Sequence, residues 1–276
     1  MRRALAEMYL TGKSYKLTTL CILFIFAGVY EFASRTHLGG LRLWIFFVPP
    51  SRILATFFSL LLDGTLLEHA VYSMMRVGAG LAIGVLLGTP LGLLIGWSRS
   101  LDLVIGPIVD LVRTFPKPAL FPLLIVISGI GEVSKVILIS FGIFFIVCIN
   151  SIYGGRSIDR VLVASAKVMG ATGAQIFTKI VIPYSLPYVS AGIRISLATS
   201  LTYLTFAEML AAERGIGYLV LYSQRNYSYD TMFVGVMAMS LIGGSMVFAY
   251  LSLERRFLSW FYAMGRRGGD EMSGGA

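Results

Sequence analysis

The sequence predicts an all-α integral membrane protein of six transmembrane helices with a helical cytoplasmic loop, on three observations. Hydrophobic residues make up 57% of the 276-residue chain and charged residues 13%, at a mean hydropathy of +0.80, outside the usual range of soluble domains. Six apolar stretches, 17–34, 71–97, 103–129, 133–152, 185–211 and 229–252, approach the roughly 20 residues a helix needs to cross about 30 Å of hydrocarbon. They are continuous rather than alternating, which indicates helices and not barrel strands. The third observation is the placement of charge. Arg2, Arg3, Lys13 and Lys16 precede the first stretch and Arg99 follows the second. Arg156, Arg160, Lys167 and Lys179 follow the fourth, and Arg255, Arg256, Arg266 and Arg267 follow the sixth. With six spans these regions share one side, and an excess of Lys and Arg marks the cytoplasm. Residues 1–16 and 253–276 are therefore expected as cytoplasmic termini around a single transmembrane domain, 17–252. Topology accounts for the net charge of +9, and no nucleic-acid partner is expected.

The first span is basic and then apolar, as in a secretory signal, but no clear small-residue cleavage site follows, so an uncleaved span is expected. Cys21 and Cys148 both fall inside spans, which leaves no disulfide or metal framework. Residues 35–70 form the largest segment on the outer side. Within it SRILATFFSLLLDG is too short to cross and reads as a helix lying at the interface, with Ser51 as its cap, Gly64 as its stop and Trp44 and Phe47 as anchors. His37 and His69 are read as surface residues, not ligands or bases.

The second span carries Gly80, Gly84, Gly88, Gly92 and Gly96. Glycines four apart form a stripe without side chains along which another helix can approach closely. Packing within the chain is one reading and a subunit contact the other. The third span is interrupted by RTFPKPALFPLL. Irregular backbone at membrane depth survives only against protein or a watery cavity, so this stretch is placed facing a path. Arg113 and Lys117 would share a helix face there, and fixed charge in a membrane is costly enough to suggest a use. That use would be an anion, unless Asp110 or Glu208 neutralises Arg113. After the fifth span, Glu208 and residues 211–217, with Ala212, Gly215 and Gly217, suggest an outer gate where two subunits could meet. EMYLTGKS (7–14) ends like a phosphate loop but lacks the first glycine and a preceding strand, so nucleotide binding by this chain is not expected. No catalytic constellation is visible.

The loop 153–183 reads as two short helices, 159–169 and 174–181, about Gly170. It carries little charge and presents Ala164, Ala166, Val168, Met169, Ile176 and Phe177. A solvated connector has no need of such a surface; a protein partner does.

At these residues the chain resembles the membrane-spanning permease subunits of ABC importers. Their cytoplasmic signature is Glu-Ala-Ala, three residues, Gly, nine residues and Ile-x-Leu-Pro. Here Ala164, Ser165, Ala166, Gly170, Ile180, Ile182 and Pro183 fall at that spacing, with Ala171 beside the glycine. Ala164 stands where the family has its acidic residue. SMMRVGAGLAIGVLLGTPLGLLIGWSRSL, GIGEVSK, LPYVSAGIRISL and AEMLAAERGIGYLV extend the likeness over roughly residues 50–260, and it is greatest to the nitrate, sulfonate and taurine branch. The resemblance implies a multi-pass protein of the bacterial inner membrane that works with a second permease copy. It implies two ABC ATPase subunits docked through the loop as a coupling helix, and an extracytoplasmic substrate-binding protein. ATP and Mg would be held by the ATPase, with no cofactor in this chain. A small anion such as a sulfonate, nitrate or organic acid is the implied substrate. A secondary transporter, which would need its own ion-coupling groups and usually a repeat, and a membrane-embedded enzyme are the alternatives.

Overall fold

The computed structural model describes residues 21–22, 25–26, 28–35 and 48–259. Among the described residues the ordered elements are all helical, without a strand. They are α1 (Pro50–Leu62), α2 (Thr65–Trp97), α3 (Arg99–Arg113), a 3-10 turn (Lys117–Leu120), α4 (Phe121–Ser128), α5 (Glu132–Arg156), α6 (Arg160–Val168), α7 (Gly173–Ile176), a π turn (Phe177–Val181), α8 (Ile182–Ala211), α9 (Ile216–Arg225) and α10 (Tyr229–Phe257). The chain divides into two compact units, Met1–Leu67 with Leu219–Val236 and Glu68–Tyr218 with Met237–Ala276.

In the first unit, α1 begins with Pro50, a residue suited to a first turn because its missing N–H needs no partner there. The expected cap is corrected: Pro49 occupies the cap position and Ser51 lies one residue inside the helix. Ser51 is bound instead from outside, its N–H (3.1 Å) and hydroxyl (2.7 Å) donating to the Glu31 carboxylate. A carboxylate at a helix N-terminus satisfies an orphan donor and the local dipole together. Gly64, at φ +82°, ends the helix as expected. Leu54, Phe58, Leu61 and Leu62 are exposed. Trp44, Phe47 and His37 lie outside the described residues.

In the second unit α5 is the central helix. Of its most apolar stretch 56% is buried, against 22% for α10. One side of α5 receives the glycine stripe of α2. A Cβ on Gly84 would fall 2.8 Å from Ile143 Cβ, and one on Gly88 2.7 Å from the Phe144 carbonyl oxygen. At Gly92 and Gly96 it would strike the carbonyls of Cys148 and Ile152. The stripe is thus an intrachain contact, the first of the two readings. α5 also packs on α8, where Gly142 meets Tyr203 and Gly154 meets Ser185, and its Leu138, Ile139, Ile143 and Val147 join Val77, Phe121, Tyr203, Leu204 and Ala207 in one buried cluster.

Four described helices are long and apolar enough to cross a membrane: α2, α5, α10 and the run Gly173–Ala211 that contains α8. The third expected span is not one helix. α3 and the segment Lys117–Ser128 meet at 85°, about Pro116, which is extended at φ −71° and ψ 93° and has no N–H with which to continue the helix. Counted as one broken span, the pair makes five. The remaining expected span, 17–34, is described only in part, and those residues are helical.

Candidate functional site

The loop after α5 is built by three consecutive capping devices. α6 starts at Asp159, whose carboxylate accepts from Val161 N–H at 2.8 Å. It ends in paired reverse bonds, Gly170 N–H to Lys167 C=O (2.9 Å) and Ala171 N–H to Ala166 C=O (3.0 Å), the Schellman arrangement. That arrangement needs a left-handed residue after the cap, and Gly170 has φ +83°. The next helix opens with a capping box: Thr172 and Gln175 exchange side-chain bonds with each other's backbone N–H, which satisfies two orphan donors. Thr-x-x-Gln was visible in the sequence as a helix start and identifies residue 173, not 174, as the first of α7.

Ile158, Ala166, Ile176 and Val181 form a small core inside this knob. Ala164 and Ser165 face out beside it, Ile182 and Pro183 open α8 half-buried, and Ile180 packs at the edge of that core with Ala171. Val168 and Met169 at the tip are 90% and 80% exposed. A concavity of about 350 Å³ lies under the turn, lined by Met169, Gly170, Ala171, Ile176, Lys179 and Ile180 among others. Gly170 has nothing within 4 Å of where a Cβ would stand, so its requirement is conformational and not one of space. Where the loop leaves the bundle, Arg156 Nε donates to Asp102 at 3.0 Å, joining the end of α5 to the start of α3.

Arg113 and Lys117 do come together, at a cavity of about 380 Å³ that Phe145 and Tyr203 also line. Arg113 is paired with Asp110 at 3.1 Å. Lys117 is only 7% exposed. Its ammonium donates to the Arg113 carbonyl at the end of α3 and stands 5.7 Å from the centre of the Phe145 ring. Among the described residues no ion pair joins Lys117 to a carboxylate. The Tyr203 ring lies directly on Gly142, where a Cβ would strike it.

Glu208 is not at this cavity. It is fully buried and accepts from Ser73 Oγ (2.8 Å), Arg76 Nη1 (2.7 Å) and Gly217 N–H (2.7 Å). Arg76, 3% exposed, donates through Nε (2.5 Å) and Nη2 (2.7 Å) to Glu132 and through Nη1 to the Arg214 carbonyl (2.7 Å). Lys135 Nζ completes the group on Glu132 at 2.9 Å. What α8 gives the cavity is Tyr203, five residues before Glu208 and so on another face of the helix. Gly215 and Gly217 lie against the Arg76–Glu208 pair, with Ala212 just past the end of α8. His69 is half-buried and accepts from Gly215 N–H at 2.9 Å, so its reading as a plain surface residue is corrected.

Comparison with known proteins places these features. Residues 84–259 match the family model described as the binding-protein-dependent transport system inner membrane component. The taurine transport system permease protein TauC of Escherichia coli is 31% identical over 221 residues, 78% of this chain and 80% of TauC. A Bacillus subtilis protein, named SsuC for aliphatic sulfonates transport, is 34% identical over 211 residues, 76% of each chain. Among solved structures, an inward-facing MetNI methionine ABC transporter superposes with a TM-score of 0.62 at 21% identity, over 71% of this chain and 97% of that one. That likeness is one of fold. The chain belongs to the binding-protein-dependent transport system inner membrane component family, as an ABC importer permease of the nitrate, sulfonate and taurine type.

Proposed function

We propose that this chain forms the translocation path for a small anion, with a sulfonate as the leading candidate, and that loop 153–183 couples the path to a separate ATPase. The observation that carries the anion is Lys117. A buried ammonium is costly unless compensated, and this one has a carbonyl and a ring face but no described carboxylate. An ammonium has three donors, so donors remain for a solute in the adjoining cavity. Arg113, held by Asp110, orients the rim and adds little surplus charge. The names of TauC and SsuC fit this chemistry, because a sulfonate offers three acceptor oxygens.

Coupling rests on the knob. Its interior is packed and capped, yet Val168 and Met169 project from its tip, the pattern of an anchor inserted into a partner's cleft. Pulling on a capped, internally packed knob moves α5 and α8, which leave it at either side. A second permease copy, two ATPase subunits holding ATP and Mg, and an external binding protein complete the assembly. Both termini lie on the cytoplasmic side with the knob. Glu208 has its partners elsewhere and serves the path indirectly.

The test is uptake by vesicles holding the assembled transporter, offered taurine, alkanesulfonates, nitrate, aromatic acids and neutral heterocycles. An anion should be preferred. Lys117→Met should weaken its apparent affinity roughly 10- to 150-fold, the equivalent of one charge-assisted hydrogen bond of about 1.5–3 kcal/mol. A neutral or cationic substrate carried equally well by Lys117→Met overturns the reading.

A further inference from the structure

The turn between α8 and α9 is held by side chains from other helices. Arg214 C=O accepts from Arg76 Nη1 (2.7 Å). Gly215 N–H donates to His69 Nδ1 (2.9 Å), Ile216 N–H to Ser73 Oγ (2.9 Å) and Gly217 N–H to Glu208 Oε2 (2.7 Å). Four consecutive residues thus each give one backbone polar group to a side chain. Three of the receiving side chains, His69, Ser73 and Arg76, are spaced four and three apart on α2 and so share one face. Glu208 closes the arrangement by accepting from both Ser73 and Arg76. Outside it, Arg214 Nη1 donates to Tyr72 Oη and pairs with Glu68, each at 2.9 Å.

Glycines in a gate segment can serve as hinges or as sites of close approach, and the geometry separates the two. Gly215 has φ +127°, and a Cβ on it would stand 2.6 Å from Arg76 Nη1 and closer still to the Glu208 carboxylate. At Gly217 the corresponding gap to Glu208 Cβ is 2.9 Å. Both glycines let backbone lie directly on a buried ion pair. Swinging the turn away would break four hydrogen bonds together, take the Gly217 N–H from Glu208 and the Arg214 carbonyl from Arg76, and uncover a pair that is now 0% and 3% exposed.

We propose that His69, Ser73 and Arg76 are positioning residues that make turn 214–217 a fixed part of α2 and α8. The path then opens at that end by movement of helices with the turn attached, not by the turn swinging as a flap. This rests on the transport reading above. The test is amide hydrogen exchange, resolved to single residues, on the assembled transporter in lipid discs, nucleotide-free and trapped with ATP on a hydrolysis-deficient ATPase. Amides 215, 216 and 217 should exchange roughly 100-fold or more slower than an unprotected amide in both states, as buried hydrogen-bonded amides do. A rise of roughly tenfold or more in either state means that the turn opens, and overturns the proposal. His69→Phe should speed exchange at Gly215 and lower the maximal transport rate with little change in KM, while His69→Asn, whose side-chain carbonyl can accept the same bond, should restore both. Unchanged exchange in His69→Phe also counts against the clamp. If a variant does not assemble, the two-state comparison of the unaltered protein still decides. Protected amides without substrate uptake would sink the transport reading and leave the clamp; uptake with amides that open would do the reverse.

Discussion

Gly170 shows how a single residue's role depends on which physical term is at work. Its left-handed φ is set by the reverse bonds that end α6, whereas the space around it is open. Any L side chain should therefore meet the same backbone penalty of about 1–2 kcal/mol, whatever its size. Gly170→Ala and Gly170→Leu should lower ATPase-coupled transport equally and leave membrane insertion intact, and Gly170→Asn should be milder because Asn tolerates this conformation. Greater loss with Leu than with Ala would mean that packing, not backbone, is limiting. Arg76 is governed by a different term. Arg76→Met leaves Glu208 and Glu132 without their shared cation, and breaking one side of a buried pair costs roughly 3–5 kcal/mol. Thermal unfolding in detergent should fall sharply for Arg76→Met and recover in part when Glu208→Leu is added, since the stranded charge is then gone. An additive loss in the double variant would contradict the pairing.

At the scale of elements, Gly92 of α2 and Gly244 of α10 carry opposite expectations from the same residue type. A side chain at Gly92 would strike the Cys148 carbonyl, while Gly244 has nothing within 4 Å. Gly92→Leu should cost about 1–3 kcal/mol or more through forced separation of α2 from α5, read as a lower melting temperature, and Gly244→Leu should be close to neutral. The helices themselves were legible in the sequence, because span length and continuous hydrophobicity are local properties. The break at residues 114–116 was legible too, as prolines beside charge, but not its 85° angle: proline removes a donor without dictating where the chain goes next. Long-range partners were least legible. Ser51 looked like a cap because its real acceptor, Glu31, lies 20 residues earlier. Glu208 looked like a path residue because Ser73 and Arg76 stand 135 and 132 positions away, beyond any local pattern.

For the molecule as a whole, the knob signature and glycine stripe were readable because spacing alone carries them, whereas the basic cavity needed α3, the 3-10 turn, α5 and α8 assembled together. The proposed orientation has its own check. Cysteines at the exposed positions Ser165 and Asn226 should be labelled from opposite faces of the membrane by an impermeant reagent; labelling of both from one face would invert the charge argument. The central claim is that this chain is a path driven from outside itself through the knob, and the most direct measurement is uptake of a radiolabelled sulfonate into vesicles containing the chain, its ATPase and its binding protein. Accumulation should require ATP, and the paired replacement Val168→Asp and Met169→Asp should abolish it while the isolated ATPase still hydrolyses ATP. Accumulation driven by an ion gradient with no ATPase present, or left intact by the paired replacement, would contradict the account.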